Sequence, residues 1–207
     1  MTSSRPCRFI VLFFVLLILV HAGCARTQPA RFYALTSIPE IAKADPENIK
    51  VNGKTIGVGP VEIPSYLDRP QIVTLKGPHQ FHMAEFDRWA GTLKDNIGSV
   101  IAENLSAMLP GDQVYVFPWR SVKPVQYQIT VRIMRFDAVP GDRVNLDVRW
   151  MILEREGRQR LMEQRSQVRS PFSGKGYDDI VSAQSMALGR LSRDIAAAVQ
   201  ALPASSE

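Results

Sequence analysis

The stretch YQITVRIMRFDAVPGDRVNLDVRWMI, residues 127–152, alternates apolar and polar side chains on both sides of a Pro140-Gly141-Asp142 turn. Tyr127, Ile129, Val131 and Ile133 make one apolar row, and Val144, Leu146, Val148, Trp150 and Ile152 make another. A period of two sets each row on one face of a strand, so the segment predicts a half-buried antiparallel hairpin. Glu156-Gly157 offers a second turn into a strand over Gln159 to Val168. The three strands read as a meander.

On either side of the meander the period changes. Phe86, Trp89, Leu93, Ile97, Val100, Ile101, Leu105 and Met108 recur at steps of three, four or one, which predicts an amphipathic helix over Glu85 to Leu109, stopped by Pro110-Gly111. A second helix is expected from Ile180 to Val199, with Asp178 or Asp179 near its positive end and Pro203 after it. Between them Gln113 to Phe117 reads as a short strand. Further upstream, short strands are expected at Arg31 to Leu35, Thr55 to Ile63, Gln71 to Leu75 and Gln80 to Ala84. Pro60 marks an edge or a bulge in the second of these. "PSYLDRP", 64–70, is a turn between two prolines, and Thr36 to Lys54 is a loop. Two one-sided helices need a sheet to cover, so the expected fold class is α/β. It is a single domain with a mixed sheet, an antiparallel meander and two long helices packed on the sheet.

The N-terminus decides the compartment. Arg5 and Arg8 precede a run, Phe9 to Val20, in which every residue is apolar. A membrane-spanning helix needs roughly 20 such residues, whereas the apolar core of a secretory signal needs about 7–15. The run ends in Val20-His21-Ala22-Gly23-Cys24, which resembles the lipobox of bacterial lipoproteins but departs from it at Val20 and His21. That resemblance implies diacylglycerol transfer to the Cys24 thiol, cleavage before it and acylation of the new amine. The expected division is a signal over 1–23, a lipidated tether over 24–30, a domain over 31–203 and a tail over 204–207. Ala25 stands where aspartate in bacterial lipoproteins favours retention at the inner membrane, so the outer membrane is expected, with the domain facing the periplasm.

Of the two cysteines in the sequence, Cys7 would leave with the signal and Cys24 would carry lipid, so no thiol remains for a disulfide, a metal or catalysis. A formal net charge of +5, two units of it in the signal, is no footprint for nucleic acid. The sequence nominates no catalytic group. His79 and His82 would point to opposite faces of a strand. Ser173 to Gly176 lacks the upstream glycine of a phosphate loop, and Gly57 to Glu62 lacks the third glycine of a dinucleotide fingerprint. No cofactor and no metal is expected.

Four segments, "IGVGPVEIPSYLDRPQIV" (56–73), "FDRWAGTLKDNIGSVIAENL" (86–105), "YVFPW" (115–119) and "AQSMALGRLSRDIAAAV" (183–199), resemble the ABC-type transport auxiliary lipoprotein family. The resemblance implies an outer-membrane lipoprotein without catalytic residues, working with an MCE-domain protein of the PqiB type and an inner-membrane transport component to move lipid between the membranes. It leaves homo-oligomerisation open. Within the family-like turn, Tyr66, Asp68 and Arg69 are candidate partner contacts, because tyrosine and arginine commonly anchor interfaces. Equally, Asp68 could bond to nearby backbone or to Arg69 and fix a strand entry. The alternatives to a transport role are a periplasmic envelope hydrolase and a structural envelope lipoprotein.

Overall fold

The computed structural model describes residues 28–38, 53–119, 125–154 and 159–203. The leader with Cys24, most of the loop before Lys54, and the Glu156-Gly157 turn lie outside the described residues. Among those described, the strands are β1 (Arg31–Tyr33), β2 (Thr55–Glu62), β3 (Gln71–Leu75), β4 (Phe81–Trp89), β5 (Gln113–Val116), β6 (Tyr127–Val139), β7 (Arg143–Glu154) and β8 (Gln159–Pro171). The helices are α1 (Leu93–Met108) and α2 (Tyr177–Gln200).

β6 is the spine of one mixed sheet. Along one edge it pairs antiparallel with β7, from Tyr127 opposite Glu154 to Val139 opposite Arg143, and β7 pairs likewise with β8. Its other edge is shared. β2 runs parallel beside residues 127–132, and β3 runs parallel beside Ala138. The PSYLDRP turn carries the chain from one to the other, and the sheet forks there. β5 lies beyond β2, while β4 and then β1 lie beyond β3. This is the expected α/β architecture.

Both helices cover the face to which the apolar rows of the meander point. α1 lies over β2 and β5, and α2 over β6, β7 and β8. Ile97, Ile101 and Leu105 of α1 and Leu188, Leu191 and Ile195 of α2 are fully buried against Ile129, Val148 and Trp150. Burying each such side chain contributes about 1.5–3 kcal/mol, and with no disulfide expected this core holds the fold. Lys54 is buried with it. Its Nζ donates to the carbonyls of Val199 at 2.8 Å and Leu202 at 3.0 Å, putting a cation on the negative end of α2.

The opposite face of the sheet is polar. Arg132, Arg149 and Arg165 stand directly opposite one another on three neighbouring strands, an arrangement that repels unless it is neutralised. Each has a carboxylate: Arg132 has Glu62 at 2.7 Å, Arg149 has Glu163 at 3.6 Å, and Arg165 has Asp147 at 2.5 Å. The bond from Arg165 holds the Asp147 carboxyl below the usual carboxylate range.

Several boundaries differ from expectation: the first strand ends at Tyr33 rather than Leu35, and the second helix starts at Tyr177 rather than Ile180. The first helix starts at Leu93, not Glu85, because β4 continues to Trp89. Phe86 and Trp89 are three apart, which mimics a helical stripe. A register shift between β3 and β4 turns Asp87 and Trp89 inward, where β1 pairs with them. The last strand runs three residues past Val168, to Pro171. At Pro60 the two readings resolve to a bulge: the register with β6 shifts between Val58 and Val61, and β2 is internal to the sheet.

Candidate functional site

The PSYLDRP turn is tightly wound. Leu67 N–H donates to the Pro64 carbonyl at 2.9 Å and Arg69 N–H to that of Leu67 at 2.8 Å, while the Leu67 side chain is buried. Pro70 then ties the turn to the sheet, its carbonyl accepting from Trp89 N–H at 2.7 Å.

The three candidate residues separate by role. Tyr66 points inward and stacks on Phe81, with ring centroids 4.6 Å apart. On the shared edge of β6, strand pairing stops at Arg132 and resumes at Ala138. Burial pushes the Tyr66 phenol up, and the backbone of Phe136, which lies within that interruption of the pairing, opposes the shift. Asp68 projects into solvent. Arg69 is half-buried, its Nη1 donates to Met83 Sδ at 2.8 Å, and its Nε has no hydrogen-bond partner. Asp68 and Arg69 line an open cleft of about 400 Å³ that runs to Trp89 and Leu93 at the start of α1.

Cys24 lies outside the described residues, but the strand nearest to it in sequence is firmly held. Asp87, 5% exposed, receives Arg31 at 3.0 Å and the Tyr33 hydroxyl at 2.8 Å. This carboxylate raises the pKa of Arg31, chiefly through the hydrogen bond, and Tyr33 is raised first by burial and then by Asp87. Beyond β1 the chain is stitched to both helices. Asn96 Oδ1 accepts from Leu35 N–H at 2.7 Å, Ser185 Oγ from Thr36 N–H at 3.2 Å, and Asn104 Oδ1 from Ile38 N–H at 3.1 Å. Sequence reasoning missed these holders. The signal was present: Asn96 and Asn104 are polar residues on the otherwise apolar face of α1, eight residues apart and hence on one side of the helix.

The polar groups singled out in the sequence are not brought together into a catalytic arrangement among the described residues. His79 and His82 are both exposed. Ser166 receives Trp150 Nε1 at 3.1 Å and donates to Asp194 at 2.8 Å, which is a clasp between sheet and α2 with no histidine in it. Among the described residues no group of three or more histidines, cysteines and carboxylates is placed to hold a metal. No helix there is long and apolar enough to cross a membrane.

The fold has close counterparts. One crystal structure of an uncharacterised protein superposes with a TM-score of 0.67 at 20% identity, covering 83% of this chain and 99% of that one. A protein from Xanthomonas campestris superposes with a TM-score of 0.65 at 15% identity, covering 82% and 94% respectively. At these identities the likeness shows the fold alone. No protein of curated function matches the sequence. The model of one protein family, the ABC-type transport auxiliary lipoprotein component, matches residues 33–196. That span takes in three of the four family-like segments whole, the fourth as far as residue 196, and nearly every described element, and the chain belongs to the ABC-type transport auxiliary lipoprotein family.

Proposed function

We propose that this protein is a non-catalytic lipoprotein, anchored through acyl chains on Cys24 in the outer membrane with its domain in the periplasm. It serves there as the auxiliary component of a PqiABC-like MCE/ABC-type lipid transport system. The observation that carries this reading is the family match over residues 33–196. The lipobox-like Val20 to Cys24 supports the anchor, and the signal-like run before it supports export. Its partners are then an MCE-domain protein of the PqiB type and an inner-membrane transport component.

The partner contact we assign to the PSYLDRP turn. Asp68 is free to reach outward at the rim of an open cleft that runs to Trp89 and Leu93, while Tyr66 holds the turn in shape. Crosslinking in intact cells through a photoreactive residue at Asp68 should capture an MCE-domain protein. Recovery of the tagged protein from membranes without any MCE or transporter component would overturn the reading. Specific sedimentation with purified sacculi would favour a structural envelope role instead.

A further inference from the structure

The sheet face turned away from the helices carries an exposed strip beside the start of the domain. Tyr33 meets Tyr177, at the start of α2, with ring centroids 6.2 Å apart, so Arg31, Tyr33 and Asp87 lie on the helix side. Phe32 pairs in register with Arg88, and alternation sends both to the other face. Phe32 is 65% exposed. Towards the beginning of β4, Phe81 is 42% and Met83 45% exposed, with Tyr66 against the Phe81 ring. Arg69 spans the interval, from its place beside Pro70 to Met83. Among the described residues neither Arg69 nor Arg88 has a carboxylate partner, and the Nε of each is buried without a hydrogen-bond partner. The arginines farther along the same face, Arg132, Arg149 and Arg165, each have a carboxylate within 3.6 Å, Arg149 sharing Glu163 with Arg160. The strip therefore combines exposed aromatic rings with unbalanced cations.

We propose that this strip lies against the anionic phospholipid surface of the membrane that holds the anchor, with Phe32 and Phe81 at headgroup level and Arg69 and Arg88 against lipid phosphates. The inference rests on the Cys24 anchor proposed above. From Cys24 to Arg31 the chain extends at most about 25 Å, so acyl chains on Cys24 keep Phe32 within that distance of the headgroups. The clamp of Arg31 and Tyr33 on Asp87 fixes the strip relative to the tether. Aromatic rings favour the interface between headgroups and hydrocarbon, and anionic lipid attracts nearby arginines. The strip orients the domain; the acyl chains retain it.

The mature chain offers a clean test, since Cys24 would be its only native cysteine. Full-length lipidated protein carrying Phe32→Cys, Phe81→Cys or Met186→Cys is labelled with an environment-sensitive fluorophore. It is then reconstituted into phosphatidylethanolamine–phosphatidylglycerol vesicles at a 3:1 ratio. Met186 is exposed on α2, across the molecule from the strip. Labels at 32 and 81 should shift to the blue and be quenched by lipids bearing spin labels near the headgroup, and the label at 186 should not. Arg69→Gln and Arg88→Gln should each lower the membrane-lying population about fivefold relative to the lifted one, with flotation unchanged. Water-like emission at 32 and 81 in floating protein would overturn the inference, as would quenching at 186 instead. Protection of 32 and 81 only after an MCE-domain protein is added would make the strip a protein contact. Protein that does not float with the vesicles at all would overturn the anchor itself, a distinct result.

Discussion

At the scale of single residues, fit between neighbours explains segments that look like motifs. Gly57 and Gly59 lack the third glycine of a nucleotide loop, and their surroundings show what they serve instead. A Cβ on Gly57 would stand 2.7 Å from the ring of Trp119, and one on Gly59, whose φ is +120°, would stand 2.7 Å from Cβ of Phe117. Phe117 and Trp119 meet edge to face at 5.3 Å above these glycines. "GVGP" and "FPW" are two halves of one packing contact. Gly57→Ala should cost about 1–3 kcal/mol by overpacking, seen as a lower Tm, and combining it with Trp119→Leu should recover part of the loss. Asp147 gives a pH-dependent test. Its folded pKa is depressed, so its contribution to stability is present above the ordinary carboxylate range and is lost as pH falls through the folded value. Asp147→Asn should therefore melt below wild type at pH 7, and the gap should close at strongly acidic pH.

At the scale of elements, the forked edge of β6 makes Tyr66 a test of what the turn is for. Tyr66→Phe keeps the stack on Phe81 and removes only the half-buried hydroxyl, at a cost of about 1 kcal/mol. Urea unfolding should show that loss with partner capture through Asp68 intact. Unchanged stability with lost capture would make Tyr66 an interface residue. The meander strands, the two helices and the turns at Pro140-Gly141-Asp142 and 64–70 were legible in the sequence because each depends on a local period or on turn chemistry. The stretch 85–92 was not, since β4 owes its length to pairing with β1, more than fifty residues away. Lys54 shows the same limit: its partners Val199 and Leu202 lie 145 and 148 residues along the chain. At the candidate site the turn could be read, but not the division of labour inside it. Tyr66 and Asp68 stand two apart, and only the fork in the sheet shows why one turns in and the other out.

At the scale of the molecule, the domain carries a core of its own. Its core is continuous across both helices and the sheet, and the helices spend their apolar faces on it. Expressed from Ala25 without the leader, the chain should be soluble and elute as a single species in size-exclusion chromatography, because no disulfide is needed to close the fold. On the proposed function, retention at the membrane then falls to Cys24. Each buried CH₂ of an acyl chain contributes about 0.8 kcal/mol, and stable anchoring takes more than one chain; the strip of Phe32, Phe81, Arg69 and Arg88 supplies orientation that salt screens. The most direct test is fractionation of cells producing Cys24→Ser with the rest of the chain unchanged. The protein should be absent from floated outer membranes after a high-salt wash, while wild type remains there. Cys24→Ser protein that still floats after that wash would contradict the account, because a protein surface rather than lipid would then be holding the domain.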